Sequence, residues 1–188
     1  NSTGTANAAA CIAIGSSTLT ATNHADSLGS IAIGHYALSA NLSGLRNMAI
    51  GYLAAQDMDD SDDNVMIGWN AALDAASSGF LKNVGVGNYA FQQVASGIDA
   101  IQNTAVGFGA IAGVITDVAH DNTAIGYKAL NDSTTAKDGV YVGSNAGLAV
   151  TTASGSVFVG KDAGGTVTTG FGNIAVGYDA MNGGAVTG

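Results

Sequence analysis

Ten copies of one short phrase, spaced almost evenly, set the strongest limit on what this chain can fold into. Aligned on one glycine they fall at Gly15, Gly34, Gly51, Gly68, Gly87, Gly107, Gly126, Gly143, Gly160 and Gly177, at strides of 17, 19 or 20 residues. The residue before that glycine is Ile or Val in all ten copies. Three residues after it, nine of ten are Ala, and only Thr18 departs. Four residues before it, six of ten are Asn: Asn47, Asn64, Asn83, Asn103, Asn122 and Asn173. A catalytic motif is needed once. A phrase repeated at this period marks stacked units, each covering its neighbour, and predicts a solenoid.

The residue types describe one unit. In Asn122–Ile125 and its counterparts, β-branched residues alternate with Ala, the period of a short strand with one bulky and one small face. The glycine fits a position of positive φ or close backbone approach. The x-x-Ala-Leu that follows reads as a second short strand. Polar links such as residues 57–63 and 131–138 absorb the variation in stride.

Composition agrees. All 14 acidic residues are Asp, so the good helix former Glu is absent, while 28 glycines favour turns. The expected class is all-β, with 1–188 forming one domain whose units run from about 11 to 181. A net charge of −9 argues against nucleic acid or an anionic membrane as partner. No apolar run approaches the ~18 residues of a membrane-spanning helix, and no stretch resembles a signal peptide. The single cysteine, Cys11, supports no intrachain disulfide framework.

Coils built from Ala and Gly bury little apolar area each. Association of several chains through their small faces offsets this, and a three-fold arrangement closes. A parallel homotrimer is therefore expected, with about ten coils making a rod roughly 45–50 Å long.

The repeat resembles the head repeat of YadA-type trimeric autotransporter adhesins, in which N-x-[AV]-[IV]-G-x-x-[AS] units form a left-handed parallel β-roll shared by three chains. The wording of residues 103–111 (NTAVGFGAI) and 122–130 (NTAIGYKAL) is closer to repeats in bacteriophage tail fibres and related trimeric fibres. The resemblance spans Ile12 to Met181. It departs from the adhesin version in stride, since those heads repeat every ~14 residues, and in carrying Ala rather than Ser after the glycine. No heptad stalk or membrane-anchor barrel is present in these 188 residues, which favours a segment of a longer fibre. The implied function is structural and adhesive: an extracellular, virion or cell-surface fibre segment contributing to host-cell attachment. A bacterial surface adhesin binding host or prey polymers is the alternative, and a left-handed β-helix acyltransferase a distant one. No binding residue transfers from the family, because the shared motif is the scaffold.

Candidate sites lie where the copies differ. Tyr52, Trp69, Phe108 and Tyr127, with Tyr178, follow the repeat glycine and form either a stacking platform for sugar rings or rings packed coil on coil. The Asn row reads as backbone hydrogen bonding at turns. Gly85-x-Gly87-x-x-Ala90 and Gly107-x-Gly109-x-x-Ala112 match a dinucleotide fingerprint in letters only, since no βαβ unit follows. Each copy also matches one hexapeptide of an acyltransferase, as at residues 125–130, but that fold needs several per coil and a histidine. His24, His35 and His120 stand in unrelated contexts. The run Asp57, Asp59, Asp60, Asp62 and Asp63 lacks calcium-loop spacing and reads as a solvated loop. Neither a catalytic group, a metal ligand set nor a cofactor is expected. The expected partners are the chain itself and a surface glycan or protein receptor.

Overall fold

The computed structural model describes residues 11–21, 28–75 and 79–183, all without helix. Ten three-residue strands stack in one parallel sheet: Ile12–Ile14, Ile31–Ile33, Met48–Ile50, Val65–Ile67, Val84–Val86, Thr104–Val106, Thr123–Ile125, Val140–Val142, Val157–Val159 and Ile174–Val176. Their register is that of the repeat, so Thr104, Ala105 and Val106 pair with Thr123, Ala124 and Ile125. A second edge is made by Phe80–Leu81, Ala100–Ile101 and Ala119–His120, and a third by Asp74–Ala75 with Gln93–Val94, all parallel. The chain is a parallel β-solenoid of about eight turns.

The strands turn opposite to the expectation. Their central residues, including Ala32, Ala49, Met66, Ala105, Ala124, Tyr141 and Phe158, are fully buried inside the coil. The flanking Ile and Val side chains face outward, with Ile14 58% and Ile125 40% exposed. The small face is thus the interior of a single chain, not a surface for a second one.

Nine of the ten repeat glycines are required twice over; Gly177, last in the stack, meets nothing and keeps only the positive φ. Gly34 holds φ +132, and a Cβ there would lie 2.2 Å from the carbonyl oxygen of Gly51 in the next coil. The sharp turn and the tight stacking are one constraint.

The x-x-Ala-Leu segment is not a strand. Two and four residues past the repeat glycine the backbone is left-handed, as at Leu53 (φ 56) and Ala55 (φ 52), Tyr89 (φ 61) and Phe91 (φ 54), or Lys128 (φ 51) and Leu130 (φ 51). A strand needs negative φ at every residue. The alternation aims successive amides at opposite neighbours: Leu53 N–H donates to the His35 carbonyl of the coil before, and Ala55 N–H to the Ala71 carbonyl of the coil after. Left-handed φ costs an L-residue roughly 1–2 kcal/mol. Here it is held because each such residue gains an inter-coil hydrogen bond.

The core is filled by compensation within several coils. Where the strand centre is small, the residue four past the glycine is large: Gly85 with Phe91, Ala105 with Ile111, Ala124 with Leu130. Where the centre is aromatic, that position is glycine, while Met66 is matched with Ala72 and Ala49 with Ala55. A Cβ on Gly147 would lie 2.4 Å from Tyr141, and one on Gly164 2.4 Å from Phe158.

The Asn row is an internal ladder. Asn64 donates its backbone N–H and Nδ2 to Asn47 Oδ1, Asn83 donates likewise to Asn64, Asn103 to Asn83, and Asn122 to Asn103. The same Nδ2 groups reach backbone carbonyls across the coil: Phe80, Ala100 and Ala119 of the second edge, and Ala136, accept from Asn64, Asn83, Asn103 and Asn122. These side chains are at most 2% exposed, so the row is structural, as the sequence led us to expect.

Candidate ligand-binding face

The position after the repeat glycine lies at a corner of the coil, where side chains point to solvent. Tyr52, Trp69, Phe108 and Tyr127 all sit there, 44–50% exposed, and Tyr178 is 70% exposed. The rings both pack on one another and remain accessible. Phe108 and Tyr127 stack with centroids 5.7 Å apart at 17°, and Tyr52 stacks on His35 at 5.4 Å and 11°. Spacings above the strand-to-strand distance suit rings on successive rungs.

Two further rings were missed by sequence reasoning. Tyr36 and Tyr89 lie one column over, two past the glycine, where left-handed φ swings the side chain back toward the row. Tyr89 bridges Trp69 (5.0 Å) and Phe108 (5.5 Å), at a coil where Asn88 occupies the aromatic column. The result is a run of four rings, Trp69, Tyr89, Phe108 and Tyr127, and a separate cluster of His35, Tyr36 and Tyr52. Tyr178 stands apart, with Lys161 Nζ 5.1 Å from its ring centroid. The one sequence signal is local: at Asn88 the column lacks a ring and Tyr89 follows it.

Beside Phe108 the surface opens into a groove of about 330 Å³ lined by Tyr89, Phe108, Gln92, Lys128 and Asn131 over Gly109, Ala112 and Gly113. It holds two of the four-ring run and none of the other expected residues.

The acidic run is tied to the coil before it. Asp62 Oδ1 accepts from Leu45 N–H at 2.7 Å, Ser43 donates to Asp60, and Arg46 Nη2 lies 2.8 Å from Asp63 Oδ2. The Arg46 hydrogen bond holds the Asp63 carboxyl below its ordinary range. Burial, then the nearby Asp74 charge, pushes the Asp57 carboxyl up. These carboxylates each have their own partner and do not converge.

Among the described residues one group brings three metal-type donors together. His120 Nδ1 lies 2.8 Å from Asp121 Oδ2 and 3.9 Å from Asp138 Oδ1. All three are at the surface, and the ring nitrogen is already bonded to Asp121. His35 is a stacking partner of Tyr36 and Tyr52. His24 lies outside the described residues. Gly85, part of the dinucleotide-like lettering, is glycine because Met66 and Phe91 fill the space its side chain would take.

Comparison with protein-family models, with curated proteins and with solved structures finds no match. The class defined by the fold is therefore the parallel β-solenoid, and any finer reading rests on the repeat and on the two faces described above.

Proposed function

We infer that the chain is a segment of an extracellular trimeric fibre, of the kind borne by phage tails or cell surfaces, that contributes to attachment on a host cell. In this reading the ten repeats are ten coils of a left-handed β-roll, as the YadA-like lettering implies. The observation that carries it is the outward sheet face. Ile14, Ile33, Ile50, Ile67, Val86, Val106, Ile125, Val142, Val159 and Val176 form an unbroken β-branched column along ten rungs, partly exposed throughout. Such a column on a single chain is a seat for another chain, and three copies about an axis close the set. The trimer seat is then the Ile/Val face and not the small face. The aromatic corner lies just past this face and faces solvent, which suits contact with a surface polymer.

Light scattering is the test of assembly: the 18.4 kDa chain should run as a species of about 55 kDa. Paired Ile50→Lys and Ile67→Lys changes should yield monomer, and a stable monomer of the parent chain would refute the trimer. Labelled chain applied to a panel of bacterial and animal cells tests attachment; absence of binding to every cell type would leave a spacer rod.

A further inference from the structure

The groove beside Phe108 differs from the rest of the corner in three ways. Its opening is made by Gly109. Every other described copy carries a side chain two past the repeat glycine, among them Tyr36, Leu53, Asn70, Asn145 and Asp162, all left-handed. At Gly109 (φ +62) that side chain is missing, and a Cβ would point at Asn131 Nδ2 (3.5 Å) and Lys128 Cγ (3.6 Å). The gap is therefore a local omission in an otherwise filled column.

Its walls combine apolar faces with fixed polar groups. Tyr89 and Phe108 meet at 67° with centroids 5.5 Å apart. Asn131 Nδ2 donates to the Gly109 carbonyl at 2.8 Å, which fixes the amide beside the gap, and Gln92 adds a second amide. Aromatic faces against C–H surfaces, flanked by amides for hydroxyls, form a saccharide-type lining.

Its charge is also unusual. The chain carries −9, yet no carboxylate lines this groove. Arg46 and Lys161 are each held by an Asp; Lys128, like Lys82 and Lys137, forms no ion pair among the described residues, and of these three it alone lines the groove, its Nζ 5.7 Å from the Tyr127 ring centroid.

We propose that this groove binds one acidic sugar unit, a pyranose bearing a carboxylate, with the ring on Phe108 and Tyr89 and the carboxylate on Lys128. The volume, about 330 Å³, is at the small end for ligand sites and fits a single unit better than a chain laid lengthwise. The proposal rests on the attachment reading above and names its ligand class.

Saturation-transfer NMR of the full chain with glucuronate and galacturonate, and with glucose as neutral reference, tests it. The parent should contact both uronates more strongly than glucose. Gly109→Asn, matching Asn70 (φ 54) and Asn145 (φ 57) of the same column, fills the gap and should abolish contact with an unchanged melting curve. Lys128→Gln, a residue already left-handed at Gln102 (φ 59), should lower uronate affinity roughly tenfold and erase the preference over glucose. Equal uronate contact in parent and both variants, or none in the parent, overturns the proposal. A changed light-scattering mass for Gly109→Asn would make the groove a seat for a second copy and also overturns it. The cell panel separates the two readings. Attachment that survives Gly109→Asn overturns the groove alone. Uronate contact in a parent that attaches to no cell supports the groove and removes the attachment reading.

Discussion

Replacing Asn103 by Ala removes one rung from the middle of the buried amide ladder. Its Oδ1 accepts from Asn122 N–H (3.1 Å) and Asn122 Nδ2 (3.0 Å), and its Nδ2 donates to Asn83 Oδ1 (3.1 Å) and the Ala119 carbonyl (2.9 Å). Asn83 Oδ1 keeps the Asn103 backbone N–H, and Asn122 Nδ2 keeps the Ala136 carbonyl. The Asn122 N–H and the Ala119 carbonyl lose their ladder partner where water cannot replace it. At about 1–3 kcal/mol for each, the loss is about 2–6 kcal/mol. For a chain of this length, each kcal/mol moves Tm by roughly 2–4 °C, so the variant should melt roughly 10 °C lower. Asn173 is the internal control. Its Nδ2 is buried without a partner, so Asn173→Ala removes an unpaired donor and should stay within about 1 kcal/mol of the parent. Urea and thermal unfolding followed by far-UV circular dichroism, at one protein concentration, read both. Equal losses at 103 and 173, or no loss at 103, would refute the ladder as a source of stability.

Gly68→Ala should prevent folding or lose more than about 4 kcal/mol, because its Cβ would lie 2.5 Å from the Gly87 carbonyl oxygen at φ +140. Gly97→Ala, with nothing within 4 Å at φ +76, should lose only about 1–2 kcal/mol in the same denaturation assay. Burial holds the Tyr141 phenol above its ordinary range, and its hydroxyl is buried without a partner. The unfolded chain therefore releases this proton from pH 10 upward while the folded chain keeps it, so stability should fall above pH 10. Tyr141→Phe should raise stability by about 1 kcal/mol at neutral pH and flatten that alkaline loss. Phe158→Ala should cost about 3–5 kcal/mol, and adding Gly164→Leu, which copies the Ala124 and Leu130 pairing, should restore part of it in a double-mutant cycle.

The stack was legible because its demands recur at fixed positions and fall on residue types with one physical meaning. The glycine column, the buried Asn row and the three-residue strand were read this way. The left-handed columns were not, since Leu53, Tyr89, Lys128 and Asp162 carry no mark of positive φ. Their conformation comes from inter-coil hydrogen bonds, which exist only once coils are stacked. The inward face was misread for a related reason. Ala at a strand centre looks like a surface awaiting a partner until Ile111 or Leu130, six residues on, is seen to fill the same space. The aromatic corner was found, but its groove is a missing side chain at Gly109, and an omission has no motif.

Because several coils balance a large interior residue against a small one of their own, the whole coil is the unit most readily gained or lost. Duplicating or deleting one complete turn keeps Tyr141 beside Gly147, Phe158 beside Gly164 and Phe91 beside Gly85. A recombination joint cut between strand and turn would instead set Tyr141 against a residue such as Phe91, or Gly85 against Gly147, giving a clash in one product and a void in the other. Changes in rod length over descent should therefore come in whole turns, with breakpoints in the polar links.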